Sequence, residues 1–329
     1  VSLLASLAAA LLLAAPTAAA PPLASTGYVL GSTPASVVAR DAHALGTLGV
    51  AAVPLSRDGG DVGTPGADLT GQLATAHAQG LRAELLLSNY SDRLGDFDPR
   101  RVGRLLRDPA RVEAVASRLA SYVATQGWDG VQIDLERMDR ADGDGLVLLA
   151  QRLQALMAPD RTVSIAISAS TSLPSYAARG YQLAQLGQSV DTVALMTYDQ
   201  HGPTWSGPGP VGSLRWQRRA LAVVATEVPL AKVDVGVAGY GYTWPSASSG
   251  RTGRTVTVAQ ARRLVARDGA RARWRPGPGE WTARLSDGTR LWWSDARSIA
   301  LRTELATELG AHGLAIWRLG SAGALPAAG

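Results

Sequence analysis

The sequence predicts an α/β protein: a closed barrel of eight parallel strands with a small α+β insertion between the seventh and eighth. Three observations predict it. Eight strand-like segments alternate with helical ones along the chain. Several of those strands are continuous apolar runs, which marks a parallel sheet covered on both faces. The length of 329 residues suits a (β/α)8, or TIM, barrel. An open doubly wound sheet is the alternative. It calls for a Gly-rich phosphate loop after the first strand, and LGSTPAS (30–36) is not GxGxxG.

The elements follow in order. GYVLG (27–31) is a short strand, and Pro34 suits the first turn of the helix SVVARDAHAL. GVAAVPL (49–55) is the second strand, followed by the Gly/Asp turn RDGGDVGTPG. A helix over 67–78 closes at Gly80, and LRAELLLSN (81–89) is the third strand. An excursion with Asp96, Phe97 and Pro99 leads to a helix over 109–126, closed by Gly127. WDGVQIDLE is the fourth strand, with a helix over 144–157 after it. TVSIAISAS (162–170), the helix SYAARGYQLAQLG and VDTVALMTYD (190–199) carry the chain through the sixth strand. A Gly/Pro-rich loop, a helix over 214–226 and the seventh strand KVDVGVAGYGY (232–242) come next. The insertion, 245–293, holds the helix VTVAQARRLVARDG and three strand-like pieces, RARWR, EWTARL and TRLWW. The helix DARSIALRTELATELG precedes the eighth strand, GLAIW (313–317). SAGALPAAG is a poor helix former, so no closing helix is expected after Trp317.

Composition narrows the function. With no Cys there is neither a disulfide nor a Cys nucleophile, and no metal-ligand set or metal site is expected. Nine Trp stand against one Phe, which suits flat apolar ligand faces such as sugars as well as core packing. The net charge of +5 comes almost wholly from Arg. Without a basic run interleaved with aromatics it does not point to nucleic acid. Diffuse basicity suits an anionic surface such as a cell wall, or reflects an Arg-rich genome. Residues 1–20, with an apolar run over 3–15 and small residues at 18–20, have the layout of a signal peptide. The barrel is then expected over 23–329, in a secreted or cell-wall-associated protein. An uncleaved anchor is the competing reading, and only then is a membrane a partner.

In VQIDLE, Gln132, Asp134 and Glu136 occupy alternate positions and so share one face of a strand. Side-by-side carboxylates in a buried strand are costly. Barrel active sites lie at the C-terminal ends of the strands. Asn89, Asp134, Glu136, Met196, Tyr198, Asp199, Tyr240, Tyr242, Trp244 and Trp317 all fall there. Asp129 supports the strand start, and His201 shapes its loop. Paired carboxylates raise one another's pKa, so one holds a proton near neutral pH. With no GxSxG elbow, acid-catalysed glycoside cleavage, without cofactor, is the chemistry these residues suit.

DGVQIDLE resembles the DxxDxDxE signature of glycoside hydrolase family 18, the chitinase family, with Asp129, Asp134 and Glu136 on three of its four acidic positions. MTYD (196–199) resembles the family's sixth-strand motif, and Trp317 in GLAIWRLG its eighth-strand Trp. YGYTW and WWSDARS look most like the bacterial branch that includes spore-cortex and cell-wall hydrolases. The likeness runs from about Gly27 to Gly320. It implies a retaining, substrate-assisted cleavage of β-linked N-acetylglucosamine glycan, chitin-like or peptidoglycan. Glu136 is then the general acid and base. Asp134 orients the acetamido group, Tyr198 binds its oxygen, and Asp199, Met196, Tyr240 and Asn89 contact sugar over a Trp317 floor. The second acid of the signature is Gln132 here, which removes a charge beside Asp134 and implies an altered pH profile. It also favours the alternative of a barrel that binds the glycan without cutting it, though such proteins are expected to lose the acid that Glu136 keeps.

Overall fold

The computed structural model describes residues 23–326. From the start, β1 (Ala24–Leu30), α1 (Ala35–Asp41), β2 (Thr47–Pro54), α2 (Ala67–Ala78) and β3 (Arg82–Ser88) alternate. A two-rung hairpin, β4 (Tyr90–Ser91) and β5 (Asp96–Phe97), precedes α3 (Pro99–Leu106) and α4 (Pro109–Gln126). Then come β6 (Gly130–Asp134), α5 (Gly143–Leu156), β7 (Thr162–Ser168), α6 (Leu173–Ala178), α7 (Leu183–Ser189), β8 (Thr192–Met196), α8 (Leu214–Val224) and β9 (Val233–Ala238). The insertion holds β10 (Tyr240–Trp244), β11 (Arg254–Thr257), α9 (Val258–Asp268), β12 (Arg273–Arg275), β13 (Glu280–Arg284) and β14 (Arg290–Trp293). The chain ends with α10 (Ala296–Leu309) and β15 (Gly313–Trp317).

Strands β1, β2, β3, β6, β7, β8, β9 and β15 close a parallel barrel, the predicted fold. The insertion forms a five-stranded antiparallel sheet in the order β11-β10-β14-β13-β12. The apolar core lies between the barrel strands and the helices outside them, with Trp128, Leu85, Ile133 and Leu119 fully buried. The barrel interior is different. Its lower part is polar: Glu84 accepts from Thr162 Oγ1 at 2.7 Å and Ser164 Oγ at 2.6 Å, and Ser164 Oγ accepts from Gln132 Nε2 at 3.0 Å. Its upper part is lined by Ala166, Ala194 and Ala315, with Tyr28 and Leu86. Gly49 makes room for the Tyr28 ring, since a Cβ there would stand 2.4 Å from it.

Several elements differ from the sequence reading. The seventh strand breaks at Gly239, so Tyr240, Tyr242 and Trp244 stand on the insertion sheet and not on a barrel strand. The small sheet therefore starts at Tyr240, before the expected 245. The helix expected in SYAARGYQLAQLG is two, parted at Gly180, whose φ of 79° ends the first. α3 was not expected. Asp98 caps it through the Arg100 N–H at 2.9 Å, just as Asp108 caps α4 one Asp-Pro further on. No helix follows β15 among the described residues. Leu319, Ala322 and Leu325 are buried instead, and Leu325 N–H donates to Asp41 at 3.1 Å. The segment read as a signal peptide lies outside the described residues, and no described helix is long and apolar enough to cross a membrane.

Candidate active site

A cavity of about 420 Å³ opens at the C-terminal end of the barrel, over the alanines. Asp134 and Glu136 enter it from the end of β6, with Gln132 below them. β6 ends at Asp134, which pairs with Ser88 on β3, so Glu136 lies two residues past the ladder. It is held there by Asn89, whose Oδ1 accepts the Glu136 N–H at 2.9 Å while its Nδ2 donates to the Glu136 carbonyl at 2.8 Å. Asn89 is fully buried and also donates to the Asp98 carbonyl. It fixes the backbone of Glu136 and does not line the cavity, contrary to the expected sugar contact.

Both carboxyls are pushed far up. Burial raises Asp134 to about 7. Burial, then the neighbouring Asp134 and Asp199, raise Glu136 to about 8. Neither is relieved by a hydrogen bond, so near neutral pH the pair retains at least one proton.

Tyr198 and Met196 reach the cavity from the end of β8, and Trp317 from the end of β15. Trp317 stands 5.6 Å from Tyr28, ring centre to ring centre. Burial holds the Tyr198 hydroxyl well above its usual pKa, so it is a donor throughout the working range. Asp199 follows with a left-handed φ of 58°, which turns its carboxyl to the rim. Tyr240 and Tyr242 both donate to Asp199 Oδ1, Tyr242 at 2.6 Å. Desolvation still raises Asp199, against the pull of these two bonds. Tyr240 thus holds Asp199 and does not itself line the cavity, which corrects its expected role. Trp244 is buried, its indole donating to the carbonyls of Gly202 and Ser206 at 3.2 Å. His201 shapes that loop, as expected, with Nδ1 at 2.9 Å from the Pro210 carbonyl.

Asp129 lies at the opposite end of the barrel. It meets His77 Nε2 at 2.8 Å, the Ala83 N–H at 2.9 Å and Arg161 Nη1 at 2.7 Å. Burial opposes its ionisation, but these partners prevail and lower its pKa. Its role is to fasten the start of β6. Tyr28, Tyr90 and Phe97 line the cavity without having been singled out in the sequence. Tyr90 and Phe97 meet edge to face at 5.5 Å on the β4–β5 hairpin, and Trp205, which is 56% exposed, meets Tyr242 edge to face at 5.8 Å. Tyr90 carried a signal, as an aromatic just past the end of the third strand; Tyr28, inside the first strand, did not.

Residues 95–322 match the family described as glycosyl hydrolases family 18. The chain belongs to that family. Within it, the chain is 23% identical over 259 residues to the uncharacterized glycosylase YvbX of Bacillus subtilis, covering 77% of this chain and 75% of that one. It is 25% identical over 289 residues to the cortical fragment-lytic enzyme of the same organism, covering 83% of this chain and 64% of that one. Its fold matches the Bacillus cereus spore cortex-lytic enzyme SleL with a TM-score of 0.79 at 20% identity, over 91% of this chain and 71% of that one. It matches a chitinase from Chromobacterium violaceum with a TM-score of 0.79 at 24% identity, over 92% and 95%. This family 18 chain is therefore a glycosidase by family, with a chitinase-like fold.

Proposed function

We propose that this family 18 glycosidase cleaves β-linked N-acetylglucosamine-containing glycan outside the cytoplasm, chitin-like or peptidoglycan, by substrate-assisted retention. The observation that carries the reading is the carboxyl pair Asp134 and Glu136. The two are buried at one end of the barrel with raised pKa values and no internal hydrogen-bond donor. Glu136 gives its proton to the glycosidic oxygen as the bond to C1 breaks. The acetamido oxygen of the same sugar closes on C1, forming an oxazolinium ion. Glu136, now a carboxylate, takes a proton from the water that opens the ring. Asp134 holds the acetamido N–H so that its oxygen lies in line, which contributes through effective molarity. Tyr198 donates to that oxygen, Asp199 contacts the same sugar, and Trp317 lies beneath it.

The test is hydrolysis of N-acetylglucosamine di- and trimers, and of peptidoglycan glycan, by the protein from Leu23 onward. The acid must be protonated to act, so kcat/KM, which reports the groups of the free protein, is expected to fall as pH rises through about 8, where Glu136 loses its proton. A rate that instead climbs through pH 8 would remove Glu136 from the acid role.

Asn89→Ala probes the same geometry one step back. It releases both backbone bonds that place Glu136. A displacement of about 1 Å costs roughly 10²-fold. A fall of that order in kcat is expected, with KM changed far less. Steady-state kinetics that showed the reverse pattern would mean Asn89 acts on binding.

A further inference from the structure

The basic charge of this chain is not diffuse. Residues 240–293 contain ten arginines and three acids, a net +7, while the whole chain carries only +5. The three acids are occupied within the described structure. Asp268 accepts from Ser286, Asp287 pairs with Arg251, and Glu280 accepts the Val211 and Gly212 N–H groups.

The sheet register sorts the arginines by face. Residues directly opposite one another in an antiparallel ladder point the same way. Tyr242 faces Trp292, Trp292 faces Thr282, and Thr282 faces Arg273. Trp244 faces Arg290, and Arg290 faces Arg284. These residues share one face of the sheet. Its aromatic part, Tyr240, Tyr242, Trp244 and Trp292, packs with Tyr198 and Trp317, which line the cavity. Arg290 stands two residues beyond Trp292 on β14, a step of roughly 7 Å along a strand. Arg273, Arg284 and Arg290 are all exposed. Among the described residues none has a carboxylate partner. Like charges set directly opposite across a ladder are destabilising, so the Arg284–Arg290 rung is a cost that nothing in this sheet relieves.

We infer that Arg273, Arg284 and Arg290 form a carboxylate-binding extension of the cleft, which selects an N-acetylated glycan bearing acidic groups over a neutral one. Guanidinium forks match carboxylates in geometry and charge. The stripe continues the sheet face whose aromatics pack behind the cavity-lining Tyr198 and Trp317, so the anion it meets is one carried by a glycan that extends out of the cavity. Peptidoglycan glycan strands freed of their stem peptides, whose alternate sugars then carry a free lactyl carboxylate, have this chemistry, and chitin does not. The inference rests on the glycosidase reading above and narrows it.

The experiment measures binding to the Glu136→Gln protein, in which turnover does not interfere. The probes are peptidoglycan glycan strands, the same strands with carboxylates amidated, a neutral N-acetylglucosamine tetramer, and a polyphosphodiester of similar charge. The expected result is a Kd about tenfold tighter for the carboxylated than for the amidated strand. That ratio falls to near one in Arg284→Gln/Arg290→Gln, and the slope of log Kd on log salt becomes shallower. Arg263→Gln/Arg267→Gln removes the same charge from exposed positions on α9 and is expected to keep the ratio. The inference is overturned if both double variants lose the ratio equally, since net charge alone would then be responsible. It is also overturned if wild-type side chains at 284 and 290 show no ratio, or if the polyphosphodiester binds as tightly with the same sensitivity to the Arg284/Arg290 change. Tetramer binding without any carboxylate preference sinks the inference and leaves the glycosidase reading standing. No binding of any glycan sinks both.

Discussion

Glu136→Gln is expected to lower hydrolysis of N-acetylglucosamine oligomers by roughly 10² to 10⁴-fold, the contribution of general acid catalysis. Gln keeps the shape and the backbone hold from Asn89 but has no proton to give. A simple misfolding explanation is excluded by the second expected result, which has the opposite sign. The folded pKa of Glu136 is raised to about 8, above its unfolded value of about 4.3. Between those values the native state binds more protons than the unfolded chain, so stability declines as pH rises. Removing the ionisable group lifts that cost. The variant is expected to melt above wild type at pH 7 and to converge with it by about pH 4. A variant that keeps its rate, or that melts lower at pH 7, contradicts the assignment.

Arg302→Met is expected to destabilise the protein by about 3–5 kcal/mol, the cost of stranding one member of a buried ion pair. Arg302 on α10 is 1% exposed. It donates to the carbonyls of Gly279 and Gly212 at 2.6 Å, of Pro278 at 2.9 Å and of Ser298 at 3.1 Å, and to Gln217 Oε1 at 3.1 Å. Glu280 lies 3.5 Å away and is itself fully buried. Burial raises the Glu280 pKa, and the positive charge of Arg302 opposes that rise more than any other neighbour does. The pair joins the insertion sheet, α10 and the loop that runs from Asp199 to Gly212. Urea unfolding measures the loss. Arg302→Met/Glu280→Gln is expected to recover part of it, because the stranded charge is then gone. A loss under about 1 kcal/mol in the single variant would show that water replaces the guanidinium.

The strand alternation in VQIDLE places Asp134 and Glu136 together without coordinates, because period two has one structural meaning. The bounds of α2 and α4 agree with the sequence reading, each helix stopping where a glycine takes a left-handed φ, at Gly80 and Gly127. What was not legible has physical reasons. GYGY continues the pattern of β9, and only the turn at Gly239 shows that the chain has left the barrel. Asn89 at a strand end reads the same whether it faces a ligand or a neighbouring backbone. The Asp-Pro before α3 is as readable a cap as its twin before α4, and Val102, Leu105 and Leu106 share one face, but the helix it opens is only two turns long. Exposure of individual tryptophans has no sequence period. Trp128 and Trp293 are buried while Trp205 stands in solvent.

The alanines above the polar interior leave this barrel one layer short of a full core. TIM barrels ordinarily fill their interior with bulky branched side chains. Here Ala166, Ala194 and Ala315 leave space that a sugar ring above Trp317 would occupy. In packing terms the ligand is then the absent layer, and the complex is the better-folded molecule. Free ligand at a hundred times its Kd adds about 2.7 kcal/mol to the native state. Hydrostatic pressure separates the two forms as well, since it favours unfolding of whichever one encloses more void. The empty barrel yields first.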